Sequence, residues 1–519
     1  MKNSLLSLVM GAIALPFIAG GCHKAPAEPN NLVIIHTNDT HSQIDPDSHD
    51  RGGVVRRLAV IDSIRRANPN TMLVDAGDVV QGTLYFYLYG GQVEQEVLNM
   101  MGLDLGILGN HEFDNGIDSL ATILNLRHSP MLATNYTTAG TPLDGRFIPY
   151  EMREVGGKKI AFIGLNLNPE GMISPENCQG LGYLDVIATA NIMADSLKNH
   201  MGADAVVALS HIGYNPAGLP GDSLLAVSTR NIDVIIGGHS HDTIDPATAE
   251  GSRRSRLRNI DGKEVLVVQT GKAGRNLGVI TINLDSLGLG GHPDYSLIPI
   301  DARHDALPAN RDLEALIARY RVGVDSLMTD WIGTATRPLP ADGNELLNFF
   351  ADYVYSRGAA IAPRVDLSIV NKGGLRTDIP AGRFSKGQII NLLPFRNKIV
   401  VVDVPGTDLK SIFEVMASTE GNGVSDNVRA TYVPGTDHPA LGTVTINGKP
   451  IEPAKTYRVA TIDYLANGGD YMRGFLNGRR VASSDNVIYD DLISYFDGGA
   501  GTARPLEGDT IARWQQTAR

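Results

Sequence analysis

Asp39 and His41 close one short apolar run, Asp78 closes the next, and Asn110 with His111 closes the third; His211 follows a fourth run, and His239 and His241 a fifth. Carboxylate, imidazole and amide groups gathered this way suit a transition-metal site, because several nitrogen donors beside oxygens favour Zn, Mn or Fe over Ca or Mg. Taken singly, each has an ordinary explanation: a strand-end Asp caps a helix, and a lone His is a surface or satisfied core residue. Coincidence would have to recur at five separate strand ends, and one shared site is the simpler reading. Two divalent ions sharing a carboxylate, roughly 3.5 to 4 Å apart, clamp the attacking and leaving oxygens of a phosphoryl displacement and acidify the attacking water. The chemistry expected of these residues is therefore phosphoester hydrolysis.

Strands must carry these groups. "NLVIIHTND", "TMLVDAGD", "LDLGILGNHEFD", "KIAFIGL", "DAVVALSHIGY", "DVIIGGHSHD" and "EVLVVQTG" are apolar runs that end in polar or glycine-rich turns. Between the first of them, "GGVVRRLAVIDSIRRAN" and "GQVEQEVLNMMG" place apolar residues at helical spacing. This alternation predicts an α/β fold, a sheet core covered by helices with function on the loops at strand ends.

At 519 residues the chain is too long for one ordinary core, so two domains are expected. Its formal charge of −12 argues against a grip on nucleic-acid polymers, and any phosphate binding has to come from a local metal or arginine.

Asp39-x-His41, Gly77-Asp78, Gly109-Asn110-His111-Glu112, His211 and Gly238-His239-Ser240-His241 resemble the motifs of the calcineurin-like metallophosphoesterases. "IIHTNDTHSQ", "GNHEFDNG" and "VIIGGHSH" resemble more narrowly the bacterial 5′-nucleotidase and UDP-sugar hydrolase family. The resemblance spans nearly the whole chain beyond its leader. It implies a four-layer α/β/β/α sandwich over residues 31–305, a linker helix over 306–332 and a second α/β substrate-binding domain over 333–519. It also implies that Asp39, His41, Asp78 and His241 hold one metal, and Asp78, Asn110, His211 and His239 the other, with Asp78 as the bridge. Several relatives carry Gln or Asn where this chain has His241, so a tighter hold on that ion is expected. His111 is one step beyond Asn110 and points elsewhere, towards the phosphate, while Asp114 falls three residues on, beside the imidazole in a helical turn. Such a carboxylate favours the imidazolium, which stabilises developing charge or assists the leaving group, the role of the matching pair in the family. Glu112 has no assigned chemistry, and solvent exposure or a local hydrogen bond is expected for it.

The second domain carries the case for nucleotides. "NKGGLR" resembles the family's Asn-Gly-Gly-Gly-Ile/Leu-Arg motif, matching Asn371 and Arg376, with Lys372 replacing the first glycine. By the same likeness Phe395 in "NLLPF" stacks on the base, Tyr464 in "DYLANGGDY" supplies the opposite ring, and Asp470 meets the ribose hydroxyls. Relatives place arginines just before the first helix of this domain to contact phosphate; here "TATRPLPADGNELLNFF" offers Arg337 alone.

The first residues read as a leader. Lys2, an apolar stretch from Leu5 to Ile18 and small residues before Cys22 form a secretory signal, and Ala19-Gly20-Gly21-Cys22 resembles a bacterial lipobox with Ala19 in place of the usual leucine. Residues 1–30 are thus expected to be signal and tether, with a lipid on Cys22 anchoring the protein in the cell envelope, in the periplasm or at the surface; an ordinary cleaved signal is the alternative. Cys178 would then stand alone, without a disulfide partner. The function expected is release of phosphate from nucleoside 5′-monophosphates, with UDP-sugars as further substrates. A 2′,3′-cyclic-nucleotide phosphodiesterase with 3′-nucleotidase activity and a nucleotide-binding lipoprotein without turnover are the alternatives.

Overall fold

The computed structural model describes residues 30–216, 219–287, 292–435, 438–498 and 505–517. The expected leader and Cys22 lie outside the described residues. The first half of the chain is built on β1 (Asn31–Thr37), β2 (Thr71–Asp75), β3 (Leu105–Gly106), β4 (Lys158–Asn166), β5 (Ala205–His211), β6 (Val234–Ile236), β7 (Glu264–Thr270) and β8 (Asn276–Asn283). In one sheet β1, β2 and β3 run parallel, and β8 pairs antiparallel with the free edge of β1. In the other, β4, β5, β6 and β7 are parallel neighbours in that order.

Side chains alternate across each strand, and that alternation builds the layers. Leu32, Ile34, Met72, Val74 and Leu105 of one sheet meet Phe162, Val207, Leu209, Ile236 and Leu266 of the other in a core between the sheets. The intervening Val33, Ile35 and Leu73 pack on the helices Val54–Ala67 and Gln92–Met101. On the far side Ala161, Ile163, Val206 and Ala208 pack on the helix Val186–Asn199. The result is the helix, sheet, sheet, helix sandwich. Each fully buried Leu, Ile or Val in it contributes about 1.5 to 3 kcal/mol, so this core, rather than the loops, holds the strand ends in place.

The connecting helix is shorter than residues 306–332. It runs Arg311–Met328, where the Asn310 side chain caps it by accepting from the backbone N–H of Asp312 and Leu313. Pro308 lacks an amide donor and ends the preceding stretch, while Trp331–Ala335 leaves the helix to pair as a strand with Gly382–Ser385. Tyr89 Oη donates to the Tyr320 carbonyl of this helix at 2.7 Å, which fastens it to the first half.

Beyond it, a five-stranded sheet runs in the order Gly423–Val424, Leu367–Val370, Thr456–Ile462, Lys398–Pro405, Arg479–Val487. The helix Asn344–Ile361 packs against it, burying Leu346, Leu347, Phe350 and Val354. One apolar cluster extends from Val33 under the first sheet through Leu313 and Ile317 of the connecting helix to Val400 and Phe413. Among the described residues no helix is long and apolar enough to cross a membrane.

Candidate metal centre and nucleotide pocket

Asp39 and His41 follow β1, Asp78 follows β2, Asn110 and His111 follow β3, His211 ends β5, and His239 and His241 follow β6. Because these strands are parallel neighbours within two stacked sheets, all of those ends lie on one rim. Asp39, His41 and His241 bring ligand atoms within 4.8 Å of one another, and so do Asp78, His211 and His239. Asn110 joins the second group, its Oδ1 lying 2.9 Å from His239 Nδ1. Asp78 adjoins both, with Oδ2 3.1 Å from His211 Nε2 and 4.0 Å from His41 Nε2.

The backbone is bent to achieve this. Asp39, His41, Asp78, His239 and His241 all have positive φ, between 48° and 74°. Non-glycine residues avoid that region at a cost of order 1 kcal/mol or more each, and such strain gathers at functional sites. Local contacts hold the bends: His239 N–H donates to both Asp39 oxygens at 3.0 and 3.1 Å, and Asn38 Nδ2 donates to Asp39 Oδ2 at 2.6 Å.

The donor set fits divalent ions. His211 Nδ1 must donate to the Ala76 carbonyl at 2.6 Å and His41 Nδ1 to the Gln81 carbonyl at 3.1 Å, which leaves each Nε2 turned towards the carboxylates. Asp39 and Asp78 are buried, with no Lys or Arg in ion-pair contact among the described residues. The positive charge they require comes either from a proton on His211 or from metal. Burial opposes that proton, but Asp78 and then Asp39 outweigh it and raise the His211 pKa to about 10. Divalent ions displace such protons on binding. Burial drives His239 down to about 3, and burial and Arg376 hold His41 well below the usual histidine value, so both rings are neutral, as ligands must be.

His111 belongs to a short turn, His111–Phe113, that sets its Nδ1 2.9 Å from Asp114 Oδ2. Burial works against the charged ring, yet Asp114 and Asp78 outweigh it and raise the His111 pKa. Glu112 departs from the exposed alternative: its carboxylate accepts from the backbone N–H groups of Asp78, Val79 and Gly109. Burial, followed by the charge of Asp78, raises its pKa to about 7.

A cavity of about 800 Å³ opens from Asp78, Asn110, His239 and His241 towards Asn371, Arg376, Phe395, Tyr464 and Asp470. Phe395 stacks on the His111 ring with centroids 5.5 Å apart, and the Arg376 guanidinium lies 5.6 Å from the same phenyl centroid. Asp470 accepts from Tyr464 Oη at 2.8 Å and from Asn371 Nδ2 at 2.9 Å. Arg337 points away: it pairs with Glu345 at 3.0 Å and does not line the cavity. Sequence reasoning passed over Lys272, which follows β7 as the ligands follow their own strands. Its side chain has no ion-pair partner among the described residues, and burial, then Arg376, lowers its pKa to about 8.

Fold and ligand groups together define a two-domain metallophosphoesterase. The calcineurin-like phosphoesterase family matches residues 32–243, and the 5′-nucleotidase C-terminal domain family matches residues 326–476. Human 5′-nucleotidase is 27% identical over 516 residues, covering 90% of this chain and 86% of that protein. The trifunctional nucleotide phosphoesterase YfkN of Bacillus subtilis is 28% identical over 500 residues, covering 85% of this chain and 32% of that longer protein. The crystal structure of a 5′-nucleotidase precursor from Thermus thermophilus superposes with a TM-score of 0.79 at 27% identity, over 94% of this chain and 99% of that one. The chain belongs to the 5′-nucleotidase family of calcineurin-like metallophosphoesterases, and it is a metallophosphohydrolase with a two-metal centre.

Proposed function

We propose that the protein releases phosphate from nucleoside 5′-monophosphates and also cleaves UDP-sugars, using the seven residues Asp39, His41, Asp78, Asn110, His211, His239 and His241 to hold two divalent ions. The observation that carries this reading is the shared cavity. The two ligand groups open into the same space as Arg376, Phe395 and Asp470, so a phosphate at the rim and a nucleoside beyond it fit one molecule. Bound ions of the Zn, Mn or Fe type would supply Lewis-acid charge and a water of lowered pKa.

The protein's own groups do the rest. Arg376, which has no carboxylate in ion-pair contact among the described residues, neutralises the phosphate. The His111 imidazolium, held charged by Asp114, stabilises the charge that grows on the phosphoryl oxygens or delivers a proton to the departing ribose oxygen. The Phe395 face receives the base, at about 1 to 3 kcal/mol per stack, and Asp470 meets the ribose. The working division of the chain is residues 31–305 for the metal centre, 306–332 for the connection and 333–519 for the nucleotide. A leader over 1–30 carries the protein to the periplasm or cell surface, anchored through lipid on Cys22.

Turnover by metal-reconstituted protein of AMP (read as phosphate), UDP-glucose (read as UMP and glucose 1-phosphate) and 2′,3′-cyclic AMP (read as the ring-opened monophosphate) tests the proposal. AMP is expected to turn over fastest, chelator to abolish turnover, and Asp78→Ala to lower it by roughly 10³-fold or more, since it removes a ligand common to both ions. Undiminished turnover by Asp78→Ala would refute the mechanism, and a preference for the cyclic substrate would replace the substrate class.

A further inference from the structure

Glu112 accepts three backbone hydrogen bonds from two separate loops. Its Oε2 receives the N–H of Gly109 at 2.5 Å and of Asp78 at 3.0 Å, and its Oε1 receives the N–H of Val79 at 2.8 Å. A carboxylate at the start of a short helical turn ordinarily caps that turn's own amides. Here two of the three donors lie 33 and 34 residues earlier in the chain, on the loop after β2. The link is returned, because Asp78 Oδ1 accepts from the N–H of His111 at 2.9 Å.

The two loops are also in direct contact. A Cβ on Gly77 would fall 2.6 Å from the Gly109 nitrogen, and one on Gly109 would overlap the Asp78 carboxylate. Neither loop can shift towards the other, and the Glu112 carboxylate keeps them from parting. Asp78, at φ 54°, is held in a costly conformation by its amide's bond to Glu112 together with the His41 N–H, which donates to its carbonyl at 3.0 Å.

We propose that Glu112 is a positioning residue for catalysis: by clamping the Asp78 loop to the Gly109–His111 loop, it sets the spacing between the Asp78 carboxylate, the Asn110 amide and the His111 imidazole. It does not line the cavity, and its carboxyl oxygens are held by backbone amides of the two loops. This rests on the metallophosphohydrolase reading. It assigns Glu112 an effect on the rate of the chemical step and on metal affinity, and little effect on substrate binding.

Glu112→Gln and Glu112→Asp test it. Gln keeps the length but replaces one acceptor by an NH₂ group that faces a backbone donor. Asp keeps the charge but withdraws the carboxylate by one methylene, too short to span both loops. With saturating Mn²⁺ and AMP, both variants are expected to lose about 10- to 100-fold in kcat with KM within about threefold, the usual penalty for removing a group that orients metal ligands. Titration of Mn²⁺ into metal-free protein is expected to show affinity weakened about tenfold or more in both.

Wild-type kcat and Mn²⁺ affinity in either variant would overturn the proposal, for in Glu112→Asp it would mean that charge alone matters. An effect confined to KM would overturn it as well, as would loss of a cooperative thermal transition in both metal-free variants, which would make Glu112 a determinant of the whole fold. If wild-type protein failed to hydrolyse AMP, the 5′-mononucleotide substrate class would fall while the Mn²⁺ titrations still decided Glu112.

Discussion

Asp114→Asn separates charge from geometry at the His111 ring. The Asn side chain keeps an oxygen to accept from His111 Nδ1, so the ring stays oriented, but the negative charge 2.9 Å from that nitrogen is gone. Both partners are mostly buried, with 18% and 25% of their side chains exposed, so solvent screens the pair only in part. A hydrogen bond to a charged group contributes roughly 1.5 to 3 kcal/mol, about twice a neutral one; Asn keeps the neutral bond, so about half of this, roughly 0.7 to 1.5 kcal/mol, is lost, which corresponds to about a 3- to 12-fold loss in kcat if the imidazolium acts in the transition state. Its direction with pH follows from the charges around the ring. Burial favours the neutral imidazole, while Asp114 and Asp78 favour the imidazolium and prevail, so the working acid persists above the ordinary histidine range. Removing Asp114 leaves Asp78 alone against burial, and the alkaline limb of the kcat profile is expected to move to lower pH.

The assay is kcat for AMP from about pH 5.5 to about pH 9.5 at saturating Mn²⁺, a span that brackets the ordinary histidine range on both sides. The ratio of wild-type to variant rate should widen as pH rises. Parallel profiles with a common alkaline limb, or a defect seen only in KM, would refute a charged His111.

Two further outcomes follow from close packing. Gly109→Ala places a methyl group against the Asp78 carboxylate and amide, and titration of metal-free protein should show Mn²⁺ binding weakened about tenfold or more, with the fold retained. His36 is buried, has no hydrogen-bond partner on either ring nitrogen among the described residues, and burial lowers its pKa from 6.5 to about 3. The unfolded chain therefore binds the proton more tightly, and stability is lost as pH falls below about 6.5, at about 1.4 kcal/mol per pH unit until about pH 3. Between about pH 7.5 and about pH 5, urea unfolding of wild-type protein should lose about 2 kcal/mol more than that of His36→Leu.

The residue types of the metal centre were legible because the requirements of the chemistry and of the fold coincide. Parallel strands end together on one rim, so Asp39, Asp78, Asn110, His211 and His239 announce a site by each following an apolar run. The sandwich was legible for a related reason, since residues such as Ile34 and Ile35 alternate between two cores. What sequence spacing does not express is contact between loops distant along the chain. Glu112 reads as a solvated acid or one with a local hydrogen bond, such as it makes to Gly109, until the loop carrying Asp78 is seen to lie against it. Arg337 was the only cation available near the first helix of the second half, but Glu345, in the first turn of that helix, takes it out of the cavity. Lys272 and Arg376, from opposite halves of the chain, instead both come within electrostatic reach of Asp39, neither in ion-pair contact with a carboxylate among the described residues. Asp39 acts on both cations and Asp78 on Arg376, so the two buried carboxylates balance them until divalent ions take those carboxylates as ligands. With those carboxylates committed to metal, the phosphate of the proposed substrate is the anion left to balance Arg376 and Lys272, and the electrostatics of the cavity thus agree with the phosphate-binding role proposed for Arg376.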